Sequence, residues 1–133
     1  PLCDQWPLPA NAFSHPRSAG TFSRFLREYV RERRLISLPD ALRRITLVPA
    51  QILEKAVPQM RSKGRLQVGA DADISVFDPE AVTDRATFST PSQSSSGMRW
   101  VIVSGTPVIA KGVLDRSAFP GRPIRRPELP AAD

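Results

Sequence analysis

The spacing of apolar residues changes near residue 57, and this change limits the chain to an α+β arrangement. Before it, Phe22, Phe25, Leu26, Tyr29 and Val30 fall three or four apart. That stripe predicts an amphipathic helix over residues 20–35, with its apolar face in the core and Thr21 or Ser18 capping its start. Ser37-Leu38-Pro39-Asp40 reads as a capping box that opens a second helix at about 38–46. Pro39 is tolerated there because a first-turn N–H has no helical partner to lose. A short third helix begins at Thr46 and runs to Leu53. Residues 1–19 read as a loop, since Pro1, Pro7, Pro9 and Pro16 interrupt any regular helix.

Beyond residue 57 the pattern becomes that of short strands. Pro58 to Gly64 is a linker with a turn, and Arg65 to Val68 is expected as a strand. Asp73 to Phe77 is expected as another, ended by Asp78-Pro79. Residues 84–97 form a serine-rich loop long enough to be functional or packed on a neighbour. Met98–Val103 and Pro107–Ala110 read as a hairpin about Ser104-Gly105-Thr106. Lys111-Gly112 turns into a last short strand, Val113-Leu114. The prolines after Ser117 mark an extended tail. A sheet this small leaves a face or an edge open when it stands alone. The pattern therefore implies a missing partner surface, supplied by the rest of a longer chain or by another subunit. A start at Pro1 rather than methionine is read the same way, as a fragment, a processed chain or a truncated one.

The 133 residues, 41% hydrophobic and 24% charged, suit one ordinary globular core. No apolar run approaches the ~20 residues of a membrane span, and Pro1-Leu2-Cys3-Asp4 does not read as a signal peptide. The single cysteine, Cys3, excludes an internal disulfide framework, and a reducing, cytoplasmic compartment is the simplest fit. The formal charge of +6 comes mostly from arginines spread along the chain. A small basic module that binds nucleic acid or a protein partner without catalysis is the alternative reading. No finger, phosphate loop or base-stacking pattern supports its nucleic-acid form, and the plainer reading of the arginines is a solvated helix face or a local excess balanced by a missing acidic remainder.

The segment Lys63-Gly64-Arg65-Leu66-Gln67-Val68-Gly69-Ala70-Asp71-Ala72-Asp73-Ile74-Ser75-Val76-Phe77-Asp78 resembles a pattern of the amidohydrolase superfamily. Val101 to Val108 followed by Lys111-Gly112 resembles its closing hairpin, with Ser104 where asparagine is usual. Thr46-Leu47-Val48-Pro49-Ala50 resembles the helix leading out of its barrel. His15-Pro16-Arg17, Gly20-Thr21-Phe22, Tyr29-Val30-Arg31-Glu32, Asp84-Arg85-Ala86-Thr87-Phe88 and Pro91-x-Gln93 resemble the N-acyl-D-amino-acid deacylase, or D-aminoacylase, branch.

The resemblance implies the last helices of a (β/α)8 barrel followed by carboxy-terminal strands of a small β-sandwich. Residues 1–57 would end the barrel, 58–126 would belong to the sandwich, and 127–133 would be a flexible tail. It implies a zinc-dependent hydrolase that splits N-acyl-D-amino acids into a carboxylate and a D-amino acid. Asp4, within Cys3-Asp4-Gln5, would match the family's Ser-Asp-Gly aspartate, with cysteine for serine and glutamine for glycine. That aspartate takes a proton from water whose pKa zinc has lowered to ~7, then passes it to the leaving amine. Arg17 would bind the substrate carboxylate through its two-pronged guanidinium. His15 would serve the substrate loop rather than the metal, since zinc needs about three protein ligands and this is the chain's one histidine. The family's other histidines and its bridging ligand do not occur here. The chain alone is therefore expected to bind no zinc and to be inactive without the remainder of the hydrolase.

Overall fold

The computed structural model describes residues 15–126. Helix α1 spans Arg17–Arg24 and continues without a break into a π-helical segment, Phe25–Glu32. Helices α2 (Leu38–Ile45) and α3 (Leu47–Leu53) follow, then a single 3-10 turn at Pro58–Ser62. Four strands complete the order: β1 (Ile74–Phe77), β2 (Met98–Val103), β3 (Thr106–Ala110) and β4 (Val113–Leu114). They form one antiparallel sheet in chain order.

Local chemistry explains the helix ends. Ser37 Oγ accepts the Asp40 amide N–H at 3.3 Å, which caps the helix start, and donates to the Asp40 carboxylate at 2.7 Å rather than leaving that carboxylate to the Ser37 amide. Helix α1 starts earlier than its apolar stripe, at Arg17, with Pro16 in the cap position. Neither Thr21 nor Ser18 caps it. The Thr21 hydroxyl instead donates to the Arg17 carbonyl at 2.6 Å. The wider turn of the π segment shows in the Arg33 amide N–H, which donates to the Glu28 carbonyl five residues back at 2.9 Å.

The hairpin forms where the sequence predicts it. Ser104 and Gly105 join β2 to β3 with φ of 49° and 81°, the two positive values of a type I′ turn. Lys111 and Gly112 repeat that geometry before β4. Asp73 holds the first turn: its carboxylate accepts the Ser104 amide N–H at 2.8 Å, while the Gly105 amide donates to the Ala72 carbonyl at 3.0 Å. Lys63 in turn pairs with both Asp71 and Asp73. The acidic residues of the glycine-rich segment are thus fasteners of the sheet.

Two further expectations fail. Arg65–Val68 is not a strand, and Leu66 and Val68 are 81% and 103% exposed. A strand needs a neighbour to complete its hydrogen-bond ladder, and among the described residues no strand pairs with this segment. The apolar stripe of the first helix is only partly core. Leu26 is buried, but Phe22 is 61% exposed, and small residues, Gly20 and Ser23, take the inner positions.

The core lies where helix and sheet meet. Leu26, Ala41 and Val82 are its buried centre, with Phe25, Leu42, Phe77 and Met98 packed around them. Val82 comes from the connection after β1, so the helical and strand parts share one interior.

Candidate active-site cleft

The predicted site residues His15 and Arg17 stand at the head of α1 beside a cleft of about 530 Å³. The helix side of this cleft also presents Thr21, Arg24 and Tyr29, and Asp84, Ala86, Thr87 and Phe88 supply its far wall. Gly20 allows the walls to approach. A Cβ there would stand 3.0 Å from the Asp84 Cβ, so a larger residue would push the segment away.

A set of polar contacts joins the walls. Arg27 Nε donates to Asp84 Oδ1 at 2.8 Å, and the other side of its guanidinium reaches Glu32 at 2.8 Å. Residues five apart do not face each other on an α-helix, whereas the π register brings Arg27 and Glu32 into line. Ser95 Oγ donates to the Ala19 carbonyl at 3.1 Å, so the serine-rich loop packs on α1. Burial pushes the Asp84 carboxyl up, but the Arg27 hydrogen bond and the nearby charges outweigh it and hold the group below the ordinary 3.8. The same pairing raises the Arg27 guanidinium above its ordinary value.

At the cleft mouth the Arg17 amide N–H donates to His15 Nδ1 at 3.1 Å. The rings of His15 and Phe88 meet edge to face, centroids 5.2 Å apart. Arg17 is exposed, and among the described residues no carboxylate pairs with it. A guanidinium in that condition can offer two parallel donors to an incoming carboxylate. Asp4 lies outside the described residues. Tyr29 and Phe88 were not among the expected site residues. Tyr29 belongs to the stripe assigned to the core, and Phe88 to a motif given no role. Its place in the motif Asp84-Arg85-Ala86-Thr87-Phe88 was the available signal.

The other arginines of the first helix are engaged internally. Arg24 and Arg33 pair with Glu28, and Arg31 donates to the carbonyls of Pro79 and Val82 at 3.0 and 2.8 Å. Among the described residues no three His, Cys, Asp or Glu side chains gather closely enough to hold a metal. The neighbouring carboxylates Asp71 and Asp73 are both taken up by Lys63. These residues do not fit a zinc site. No helix among them is long and apolar enough to cross a membrane.

A model described as the amidohydrolase family matches residues 3–109, and the chain belongs to that family. N-acyl-D-glutamate deacylase of Alcaligenes xylosoxydans xylosoxydans is 42% identical over 119 residues, which are 90% of this chain and 23% of that protein. The crystal structure of N-acyl-D-glutamate deacylase from Bordetella bronchiseptica, complexed with zinc and a phosphonate inhibitor, superposes with a TM-score of 0.66 at 44% identity. That match covers 76% of this chain and 21% of the crystal chain. A crystal structure of D-aminoacylase gives a TM-score of 0.68 at 35% identity, over 77% of this chain and 20% of its own. The chain thus spans less than a quarter of the length of the curated relative it matches over 119 residues.

Proposed function

We propose that this chain is the carboxy-terminal part of a zinc-dependent amidohydrolase that converts N-acyl-D-amino acids to a carboxylate and a D-amino acid. The observation that carries the reading is the cleft itself: His15 and Arg17 from the helical part meet Asp84–Phe88 from the strand part, two segments far apart in sequence. The relatives named above act on N-acyl-D-amino acids, in keeping with a carboxylate-binding arginine at that point.

In this proposal Arg17 grips the substrate carboxylate through both prongs of its guanidinium and fixes the scissile amide in place. His15 holds the Arg17 backbone. Asp4 acts as the general base, taking a proton from the attacking water and passing it to the leaving amine. Zinc binding is assigned to the remainder of the hydrolase, since the described residues do not supply its ligands. Residues 1–57 close a (β/α)8 barrel and 58–126 complete a small β-sandwich; the tail expected at 127–133 lies outside the described residues. A cytoplasmic location, read from the single cysteine, belongs to the same proposal.

The test is complementation. The chain is produced together with the amino-terminal part of a homologous deacylase, supplied with zinc and assayed on N-acetyl-D-glutamate, N-acetyl-D-aspartate and their L counterparts. Hydrolysis of a D substrate by the assembly, and none by the chain alone, is the expected result. A correctly assembled, zinc-loaded complex that leaves every D substrate intact would overturn the proposal, as would full activity of the isolated chain.

A further inference from the structure

Phe88 is 78% exposed, so burial gives it little of a phenylalanine's usual stabilising value. Its described partner is specific. The ring meets the His15 imidazole at an interplanar angle of 77° with centroids 5.2 Å apart. This edge-to-face arrangement places the positive ring edge of one partner against the negative face of the other, and it limits how the imidazole can turn.

The orientation of that imidazole bears directly on Arg17. Nδ1 accepts the Arg17 amide N–H at 3.1 Å. An accepting Nδ1 presents its lone pair to that amide. If the imidazole rotated, this acceptor would leave the amide. On the other side of the same residue, the Thr21 hydroxyl donates to the Arg17 carbonyl at 2.6 Å. The peptide groups flanking Arg17 are therefore fixed at both ends, and Phe88 supports one of those two fixings from a different part of the chain.

We infer that Phe88 is a positioning residue for the Arg17 carboxylate clamp and acts through the His15 ring. The inference rests on the substrate-binding role proposed above for Arg17. Through Phe88 the strand part of the chain controls how well the helical part grips its substrate, although it contributes no group to the bond being broken.

The experiment uses the assembled hydrolase with Phe88→Ala, Phe88→Tyr, Arg17→Ala and the Arg17→Ala/Phe88→Ala double variant. A clamp displaced by part of an ångström loses affinity, so Phe88→Ala is expected to raise KM for an N-acetyl-D-amino acid about tenfold. Loss of binding common to ground state and transition state leaves kcat within about twofold. Phe88→Tyr keeps the ring and stays near the parent. Because both act through one clamp, the double variant is no worse than Arg17→Ala alone. An unchanged KM in Phe88→Ala, or losses that multiply in the double variant, would overturn the inference. If the parent assembly shows no hydrolysis, the proposed function fails first. Amide hydrogen exchange at Arg17 then decides the positioning role. Faster exchange in Phe88→Ala than in Phe88→Tyr supports it, and equal exchange refutes it.

Discussion

Arg17 and Asp84 show how differently two charged residues of one cleft are used. Arg17 is exposed, whereas Asp84 is 13% exposed at its side chain and already matched by Arg27. If Arg17 holds the substrate carboxylate as proposed, replacing it by alanine is expected to lower kcat/KM of the assembled hydrolase about a hundredfold, through loss of both charge-assisted donors. Arg17→Lys should recover only part of this, since an ammonium restores the charge without the two-pronged geometry. Steady-state kinetics on one D substrate check both. The Asp84 pairing makes a separate prediction about acid. A carboxyl held below its ordinary 3.8 in the folded protein contributes stability fully above that value. The contribution is lost as pH falls through the depressed folded value, because the unfolded chain then binds the proton more readily. Asp84→Asn should lower stability near neutrality by about 1.5–3 kcal/mol, the usual worth of a hydrogen bond to a charged group. It should also flatten the decline below pH 3.8. Denaturant melts of the assembled protein across that range measure both effects.

Elements with local causes could be read from the sequence, and elements with distant causes could not. The capping box of α2 needs only Ser37 and Asp40, and the β2–β3 turn needs only residues that accept positive φ. Both were legible. Serine is a poor choice at a φ of 49°, where asparagine adopts the left-handed region at lower cost. Ser104→Asn is therefore expected to stabilise the hairpin by about 0.5–1 kcal/mol, visible as a higher thermal midpoint with unchanged activity. Arg65–Val68 has the composition of a strand but no described neighbour to pair with, a condition that sequence spacing does not reveal. The π segment escaped notice because its apolar spacing differs little from that of an α-helix over two turns. Its sign is the alignment of Arg27 with Glu32, and that becomes meaningful only once Asp84, distant in sequence, arrives on the same guanidinium. For the site, the motifs around Arg17 and Asp84 were legible separately. Their meeting was not, since it depends on how the sheet folds back on α1.

At the scale of the whole molecule, the buried apolar side chains are few and the exposed ones many. Leu26, Ala41, Ala50 and Val82 are the buried hydrophobic residues among those described, while Phe22, Ile52, Leu66, Val68 and Phe119 face outward. If the chain is part of a longer hydrolase, as proposed, some of this apolar surface is covered by further polypeptide. The isolated chain is expected to bind a hydrophobic dye and to self-associate as its concentration rises, and both properties should diminish in the assembled hydrolase. Dye fluorescence and sedimentation, run side by side on the two samples, give the comparison. An isolated chain that stayed monomeric and dye-silent would contradict this account. The Arg27 bridge has one more consequence, for anyone who would divide the protein. Residue 57 is where the spacing changes, yet scissors placed there would send Asp84 away with one piece and Arg27 with the other. The strand piece would inherit a sheltered anion deprived of its cation, and the helical piece would lose the lid over Leu26. Swapping modules between relatives at that point should yield poorly folded hybrids unless both ends of the bridge travel together.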